Sequence, residues 1–186
     1  MNSVKVWDLP VRLCHWGLAA CVAANLAVTE EGSPLHRYIG YTAAGIVLFR
    51  LLWGLIGSRH ARFRDFFPTP ARVQNHLRQL KQGRAAPHAG HNPLGALMML
   101  ALWATVIGLG CTGWLMGTDA FFGSEIMEEL HGFLADLLIP LIALHVAAAF
   151  IMSRLEQSGL IRAMFTGRKN LPDTVSAPTE ITDNHP

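Results

Sequence analysis

The sequence predicts an all-α membrane protein, a four-transmembrane-helix bundle. Of its 186 residues, 51% are hydrophobic and only 15% are charged, a composition unlike that of soluble domains. The apolar residues collect in four runs, each about the 17 to 25 residues that a helix needs to cross the hydrocarbon core. Backbone groups in lipid cannot bond to water, so a helix satisfies them best in these runs. The predicted spans are about 12–28, 38–56, 93–116 and 130–152.

The first span, 12–28, could be mistaken for a cleaved signal peptide because small residues follow its apolar core. His15 and Asn25 fit such a segment poorly, and we expect the span to be retained. The second span opens beside His36. The fourth contains Pro140, which removes a backbone hydrogen bond and should bend the helix.

The connection between the second and third spans predicts a short helix of its own. Thr69 can cap it, Pro70 can open it, and Gly83 ends it. Its apolar residues recur on one face, so we expect it to lie at the membrane surface. Asn92 and Pro93 repeat the start signal before the third span.

The chain divides into a transmembrane domain, residues 1–154, and a tail, residues 155–186. The first part of the tail mixes apolar and basic residues, which predicts a stretch at the membrane interface. Beyond Asn170 the tail is polar and contains prolines, so we predict that it is disordered.

The positions of Lys and Arg predict the orientation in the membrane, because basic loops stay in the cytoplasm. The connection between the second and third spans is basic, with Asp65 as its one acid. The other two connections are acidic, with Arg37 as their one base. Both termini are therefore predicted to be cytoplasmic. We attribute the basic residues to topology and membrane lipid headgroups, and we expect no nucleic-acid partner. They are Arg59, Arg62, Arg64, Arg72, Arg78, Lys81 and Arg84.

Four histidines in the spans fall at two depths. His131 and His145 are fourteen residues apart in one run, which puts them on nearly the same helix face, about 21 Å apart along the axis. His15 matches the depth of His145 near the cytoplasmic side, and His36 matches His131 near the outer side. Neutral imidazole is a common axial ligand of haem iron. The pairs His15/His145 and His36/His131 therefore predict two haems.

Other readings of these histidines are less favoured. A zinc site needs ligands clustered around one point, not two separated pairs. A haem-free adaptor, in which the histidines only hydrogen-bond between helices, stays open. No serine, cysteine or carboxylate has a spacing that would partner them, so we predict no catalytic residue. The three cysteines, which lack the spacing for covalent haem attachment, are expected to be small buried residues: Cys14, Cys21 and Cys111.

Two arginines are candidate partners of haem propionates. Arg50 lies fourteen residues after His36, on the same face and one layer deeper, where a charge is costly unless it is paired. We expect it to bind a propionate of the cytoplasmic haem, the alternative being that it reaches the inner headgroups. Arg37 could serve the outer haem or an outer lipid phosphate. A quinone pocket at the inner face is also a candidate, formed by His91, Trp7, Asp8 and Arg12.

Stretches between Val4 and Arg154 carry a family resemblance. They are VWDLPVRLCHW, PLHRYIGYTAAGIVLFRLLWGLIGSRHARF, GHNPLGA and the two Leu-His dipeptides of the fourth span. In these the chain resembles the bacterial cytochrome b561 family and the related b-type cytochrome subunits of nickel-iron hydrogenases. The resemblance implies two b haems and electron exchange with the quinone pool. It implies as haem ligands His15, His36, His131 and His145.

We therefore predict a dihaem cytochrome b of the bacterial inner membrane. It would relay electrons between membrane quinone and a periplasmic cytochrome c or other redox protein. The alternative is a superoxide:quinone oxidoreductase acting at the periplasmic haem, so whether the protein is an enzyme stays open. That alternative needs positive charge at the outer haem edge, where the loops are mostly acidic. A homodimer is also left open.

Overall fold

Four long helices dominate the fold. The computed structural model describes residues 2–83, 90–156 and 159–171. Four of its helices, α1, α2, α5 and α6, are each long and apolar enough to cross a membrane, so the chain is a mostly helical membrane protein, as predicted. In chain order the elements are β1 (Asn2–Lys5), α1 (Leu9–Ala27), α2 (Pro34–Ile56), a 3₁₀ turn (Arg59–Ala61), α3 (Phe63–Phe66), α4 (Pro70–Lys81), α5 (Pro93–Leu115), α6 (Glu125–Leu155), α7 (Leu160–Thr166) and β2 (Arg168–Leu171).

Side-chain caps explain why α1 and α2 begin about one turn before the apolar runs. The Asp8 carboxylate accepts a hydrogen bond from Val11 N at 2.9 Å. The Ser33 hydroxyl accepts one from His36 N at 3.1 Å. Because the first backbone N–H groups of a helix have no partner within it, such caps stabilise the start. A proline in the first turn of each helix, with its fixed φ, has the same effect.

The spans pack in sequence order: α1 contacts α2, α2 contacts α5, and α5 contacts α6. Close approach is possible where glycine replaces a larger residue. A Cβ on Gly110 of α5 would lie 2.7 Å from Ala44 Cβ of α2, so these two helices need that glycine. Many large apolar side chains of the long helices are exposed, as expected for a lipid-facing surface. The central buried cluster consists of Ala43, Val47, Trp103, Val106 and Leu138.

The segments that precede α1 and follow α6 meet over one end of the bundle. Strand β1 pairs antiparallel with β2, from Asn2 opposite Leu171 to Lys5 opposite Arg168. No sequence pattern indicated this sheet. The expectation of disorder beyond Asn170 is wrong for Leu171, which belongs to β2 and pairs with Asn2. Residues 172–186, to which the expectation also applies, lie outside the described residues. We call β1, α7 and β2 the terminal cap, and the end of the bundle that it covers the terminal end.

Gly167 joins α7 to β2 and closes the terminal cap. Its carbonyl accepts hydrogen bonds from Val6 N at 2.8 Å and from Trp7 N at 3.1 Å. Its φ is 77°, a left-handed conformation that favours glycine. A Cβ at this position would also lie 2.6 Å from Trp7 O. Both the conformation and the space therefore require glycine.

We expect Gly167→Ala to destabilise the protein more than Gly123→Ala. Gly123 has a similar φ of 72°, but a Cβ there would meet nothing within 4 Å. Both variants bear the left-handed penalty of about 1 kcal/mol, and only Gly167→Ala adds a steric cost of about 1 to 3 kcal/mol. Thermal melting of the two purified variants in detergent measures the difference. Equal losses would contradict the close contact with Trp7.

Candidate functional site

The structure brings the four singled-out histidines together in two pairs. His15 of α1 and His145 of α6 have ring centroids 6.3 Å apart. His36 of α2 and His131 of α6 have the same separation. We call His15 and His145 the terminal pair, because they lie toward the terminal end, and His36 and His131 the distal pair. These are the two combinations expected from matched depth.

The spacing within each pair fits two imidazoles on one metal ion. An imidazole nitrogen lies about 2 Å from a bound metal and roughly 1 Å from its own ring centre, so two axial ligands have centroids about 6 Å apart. Tetrahedral zinc would need more donors at one point. Among the described residues, no group of three or more His, Cys, Asp or Glu side chains could hold a metal ion. The pairs suit a macrocycle that supplies the remaining ligands itself.

Threonine hydroxyls hold the distal pair. Thr112 Oγ1 of α5 lies 2.8 Å from His131 Nδ1, and Thr29 Oγ1, just beyond α1, lies 3.3 Å from His36 Nδ1. In each ring, Nε2 is then the nitrogen left for a ligand. Sequence reasoning missed both threonines. The available signal was weak, since Thr112 is one of two threonines, with Thr105, inside a largely apolar span.

A cavity of about 1120 Å³ adjoins the terminal pair. This volume slightly exceeds the range typical of ligand pockets, about 300 to 1,000 Å³, so a large planar group can be accommodated. His15 Nδ1 is buried and has no hydrogen-bond partner among the described residues. The cavity walls include both histidines of the pair together with Arg50, Val47, Trp103, Leu138 and Met164.

Arg50 is buried beside this cavity and is only 4% exposed. One terminal nitrogen, Nη2, donates to Ala61 O at 3.1 Å, and the guanidinium carbon lies 5.2 Å from the centre of the Trp103 ring. The other, Nη1, has no hydrogen-bond partner within the described parts of the chain. An unsatisfied cationic nitrogen at membrane depth is costly, and an anionic group in the cavity would satisfy it. The side chain is enclosed by protein within the described structure.

The other predicted site residues are not all at the cavity. Trp7 and His91 line it, with their ring centroids 4.6 Å apart. Burial, with nearby positive charges adding to it, lowers the pKa of His91 to about 3. Asp8 instead caps α1, and the guanidinium of Arg12 donates to the Phe165 carbonyl. Arg37 is exposed at the start of α2.

Lys169 is a cavity residue that the sequence did not indicate. It is 2% exposed, and its Nζ donates to Gly90 O at 3.1 Å. Burial lowers the pKa of Lys169 to about 8, although the charge of Glu156 opposes this shift. The lysine comes from β2, so it reaches the cavity only because β2 pairs with β1.

A membrane bundle whose helices pair histidines at two depths has the architecture of a membrane cytochrome. The chain matches the family model described as prokaryotic cytochrome b561 over residues 6–167. It therefore belongs to the prokaryotic cytochrome b561 family. This membership implies haem b as the cofactor and electron transfer within the membrane as the function.

Named relatives agree with this family membership. A probable Ni/Fe-hydrogenase B-type cytochrome subunit of Rhodobacter capsulatus is 23% identical, over 92% of this chain and 83% of the relative. Proteins of the same description match from Azotobacter vinelandii, at 25% identity over 73% of this chain and 68% of the relative, and from Bradyrhizobium diazoefficiens, at 24% over 92% and 87%. The chain is thus similar along most of its length to hydrogenase-type cytochromes.

Asp8 fixes the start of the helix that carries His15. Besides capping α1, its carboxylate accepts a hydrogen bond from Trp53 Nε1 at 2.9 Å. Burial acts to raise the pKa of Asp8, but hydrogen bonds from Ser58, Val11 and Trp53 outweigh it and hold the pKa below its ordinary value. The stability that the charge contributes is therefore fully present above the unfolded pKa, and it is lost as the pH falls through the lower folded value.

We expect Asp8→Ala to reduce stability by about 0.5 to 2 kcal/mol because a helix cap is lost. Asp8→Asn is the comparison that removes the charge and keeps the cap, because its Oδ1 can still accept from Val11 N. Its Nδ2 cannot accept from Trp53 Nε1, which adds a loss of stability that does not depend on pH. The difference between wild type and Asp8→Asn should shrink as the pH falls below about 4. Melting temperatures between pH 3 and 7 measure both effects. A difference independent of pH would contradict the depressed pKa.

Proposed function

We propose that the protein is a dihaem cytochrome b that relays electrons across the membrane between the quinone pool and a redox protein on the other side. The 6.3 Å separation of ring centroids in both histidine pairs carries this proposal. His15 and His145 would hold one haem, and His36 and His131 the other. Bis-histidine haem iron supplies one-electron transfer and has no open position for a substrate.

The helices fix the two sites relative to each other. Helix α6 contributes one histidine to each pair, so its rise sets the distance between the layers at about 21 Å. The partner histidines come from α1 and α2, which pack side by side. We assign Arg50 Nη1 to a propionate of the terminal haem, which would neutralise the buried charge. Arg37, next to His36, is assigned to the distal haem.

We propose that both termini lie in the cytoplasm and that the distal pair is near the periplasmic surface of a bacterial inner membrane. The excess of Lys and Arg in the connection that contains α4 supports this orientation. The connections at the distal end carry mainly carboxylates. They would favour a basic surface on the partner through charge complementarity.

Quinone is proposed to bind at the terminal end, in the part of the cavity lined by Trp7 and His91. The aromatic rings offer an apolar contact, and the His91 imidazole offers a polar one. On the opposite face, a hydrogenase or a soluble cytochrome c is the proposed partner. The relatives named as hydrogenase cytochromes favour the relay over superoxide oxidation. So do Glu30 and Glu31, which precede α2 at the distal end and would repel an anion.

We expect His36→Ala and His145→Ala each to retain one haem of the two. Each substitution removes an axial ligand from one pair and leaves the other pair intact. His60→Ala is the control, because His60 lies in a loop, where its Nδ1 is 2.8 Å from Asp65 Oδ2. It should retain both haems. The ratio of haem to protein and a redox titration measure the outcome. Loss of no haem from either ligand variant would overturn the pairing.

Quinol should reduce the purified protein and produce the absorption bands of ferrous b-type haem. Re-oxidation of the reduced protein by a basic cytochrome c is then measured, and reduction of the oxidised protein is compared between superoxide and a hydrogenase supplied with hydrogen. Electron transfer with either protein partner supports the relay. Turnover of superoxide alone would instead support the oxidoreductase. Failure of quinol to reduce any haem would contradict the assignment of quinone.

A further inference from the structure

We propose that Thr29 and Thr112 are positioning residues for the distal pair. Their hydroxyls fix the tautomer of His36 and His131 and thereby lower the reduction potential of the haem between them. The inference rests on the proposed function, because it treats these histidines as iron ligands. It adds an asymmetry between the two haem layers, since the terminal pair has no equivalent contact from His15 Nδ1 within the described residues.

The hydrogen bonds of Thr112 assign the proton on His131. A hydroxyl has one proton to donate. Thr112 Oγ1 lies 2.9 Å from Gly108 O and 3.2 Å from Leu109 O, and a carbonyl can only accept. The proton is therefore committed to the preceding turn of α5, as is common for threonine in a helix. Toward His131 Nδ1, at 2.8 Å, Thr112 must then accept. His131 is thus protonated at Nδ1, and its Nε2 lone pair is free.

Thr29 makes the same arrangement at His36 with longer contacts. Its hydroxyl donates toward Asn25, whose Oδ1 is 3.3 Å away and whose backbone O is 3.4 Å away. Its oxygen can therefore accept from His36 Nδ1 at 3.3 Å. Asn25 Nδ2 in turn donates to His36 O at 3.1 Å. The end of α1 and the start of α2 are joined, and the imidazole is held against this junction.

The terminal pair differs in chemistry. His15 Nδ1 is buried, and no described residue accepts a hydrogen bond from it, while Arg50 brings a cation to the same cavity. An acceptor on the outer nitrogen makes a histidine a more basic ligand, which stabilises the ferric state. A nearby cation has the opposite effect. The threonines therefore make the reduction potential of the distal haem lower than it would be if His36 and His131 lacked these hydroxyl contacts.

The test compares Thr112→Val with two matched variants. Valine keeps the shape and removes the hydroxyl, whereas Thr112→Ser keeps the hydroxyl. Thr105→Val is the control on the same helix: Thr105 is as buried as Thr112, and its hydroxyl donates to Ala101 O at the same 2.9 Å. Among the described residues, that carbonyl is its hydrogen-bond partner. The wild type and the three variants are purified with haem and subjected to redox titration. The signal of the distal haem is identified as the one that is absent from the titration of His36→Ala.

Thr112→Val should shift the distal midpoint potential upward and weaken retention of that haem about tenfold or more. Thr112→Ser and Thr105→Val should leave both properties at the wild-type level. An unchanged distal potential in Thr112→Val, or an equal shift in Thr105→Val, would overturn the inference. If Thr112→Val does not fold, Thr29→Val provides the same upward shift to test, with the same criteria.

These outcomes are separable from failure of the proposed function. A wild-type protein that binds no haem, or loses none in the His36→Ala variant, refutes the ligand assignment itself. A wild-type protein with two haems and a threonine-independent distal potential refutes only the role of the hydroxyls.

Discussion

The two histidines of α6 constrain the whole bundle. They are separated by nearly four turns of a single helix, so their depths are fixed once that helix spans the membrane. A polar ring in lipid needs a partner, and each partner must come from another helix at the same depth. Helix α1 provides one near its beginning and α2 provides the other near its own. Antiparallel packing of α1 and α2 follows directly from this requirement.

Helix α5 carries no histidine, yet it orders the site. It packs between α2 and α6, and glycines lie at its contacts with both neighbours. A Cβ on Gly108 would lie 2.9 Å from Leu134 of α6. Through Thr112, the same helix contacts the distal pair. Its contribution is therefore to set the separation and the orientation of groups that other helices supply.

The spans and the matched depths of the histidines could be predicted from sequence, because helical rise converts sequence position into depth. Contacts between distant parts of the chain could not. Thr112 is nineteen residues from His131 and on another helix. Lys169 reaches the cavity through a pairing of two strands that lie before α1 and after α7. Short strands of this kind have no periodic pattern long enough to indicate them. Tertiary packing likewise decides which of the aromatic and charged residues at the terminal end line the cavity.

The terminal cap has a consequence for biogenesis. Strand β1 precedes all four spans in the chain and its partner β2 follows them, so the cap can form only after all four spans have been synthesised. Until then, the wall that α7 and Lys169 contribute is missing, and the compartment around His15 and His145 stays open on that side. A group that binds between these histidines can therefore reach them from that side before β2 is made, and the pairing of β1 with β2 then adds the missing wall.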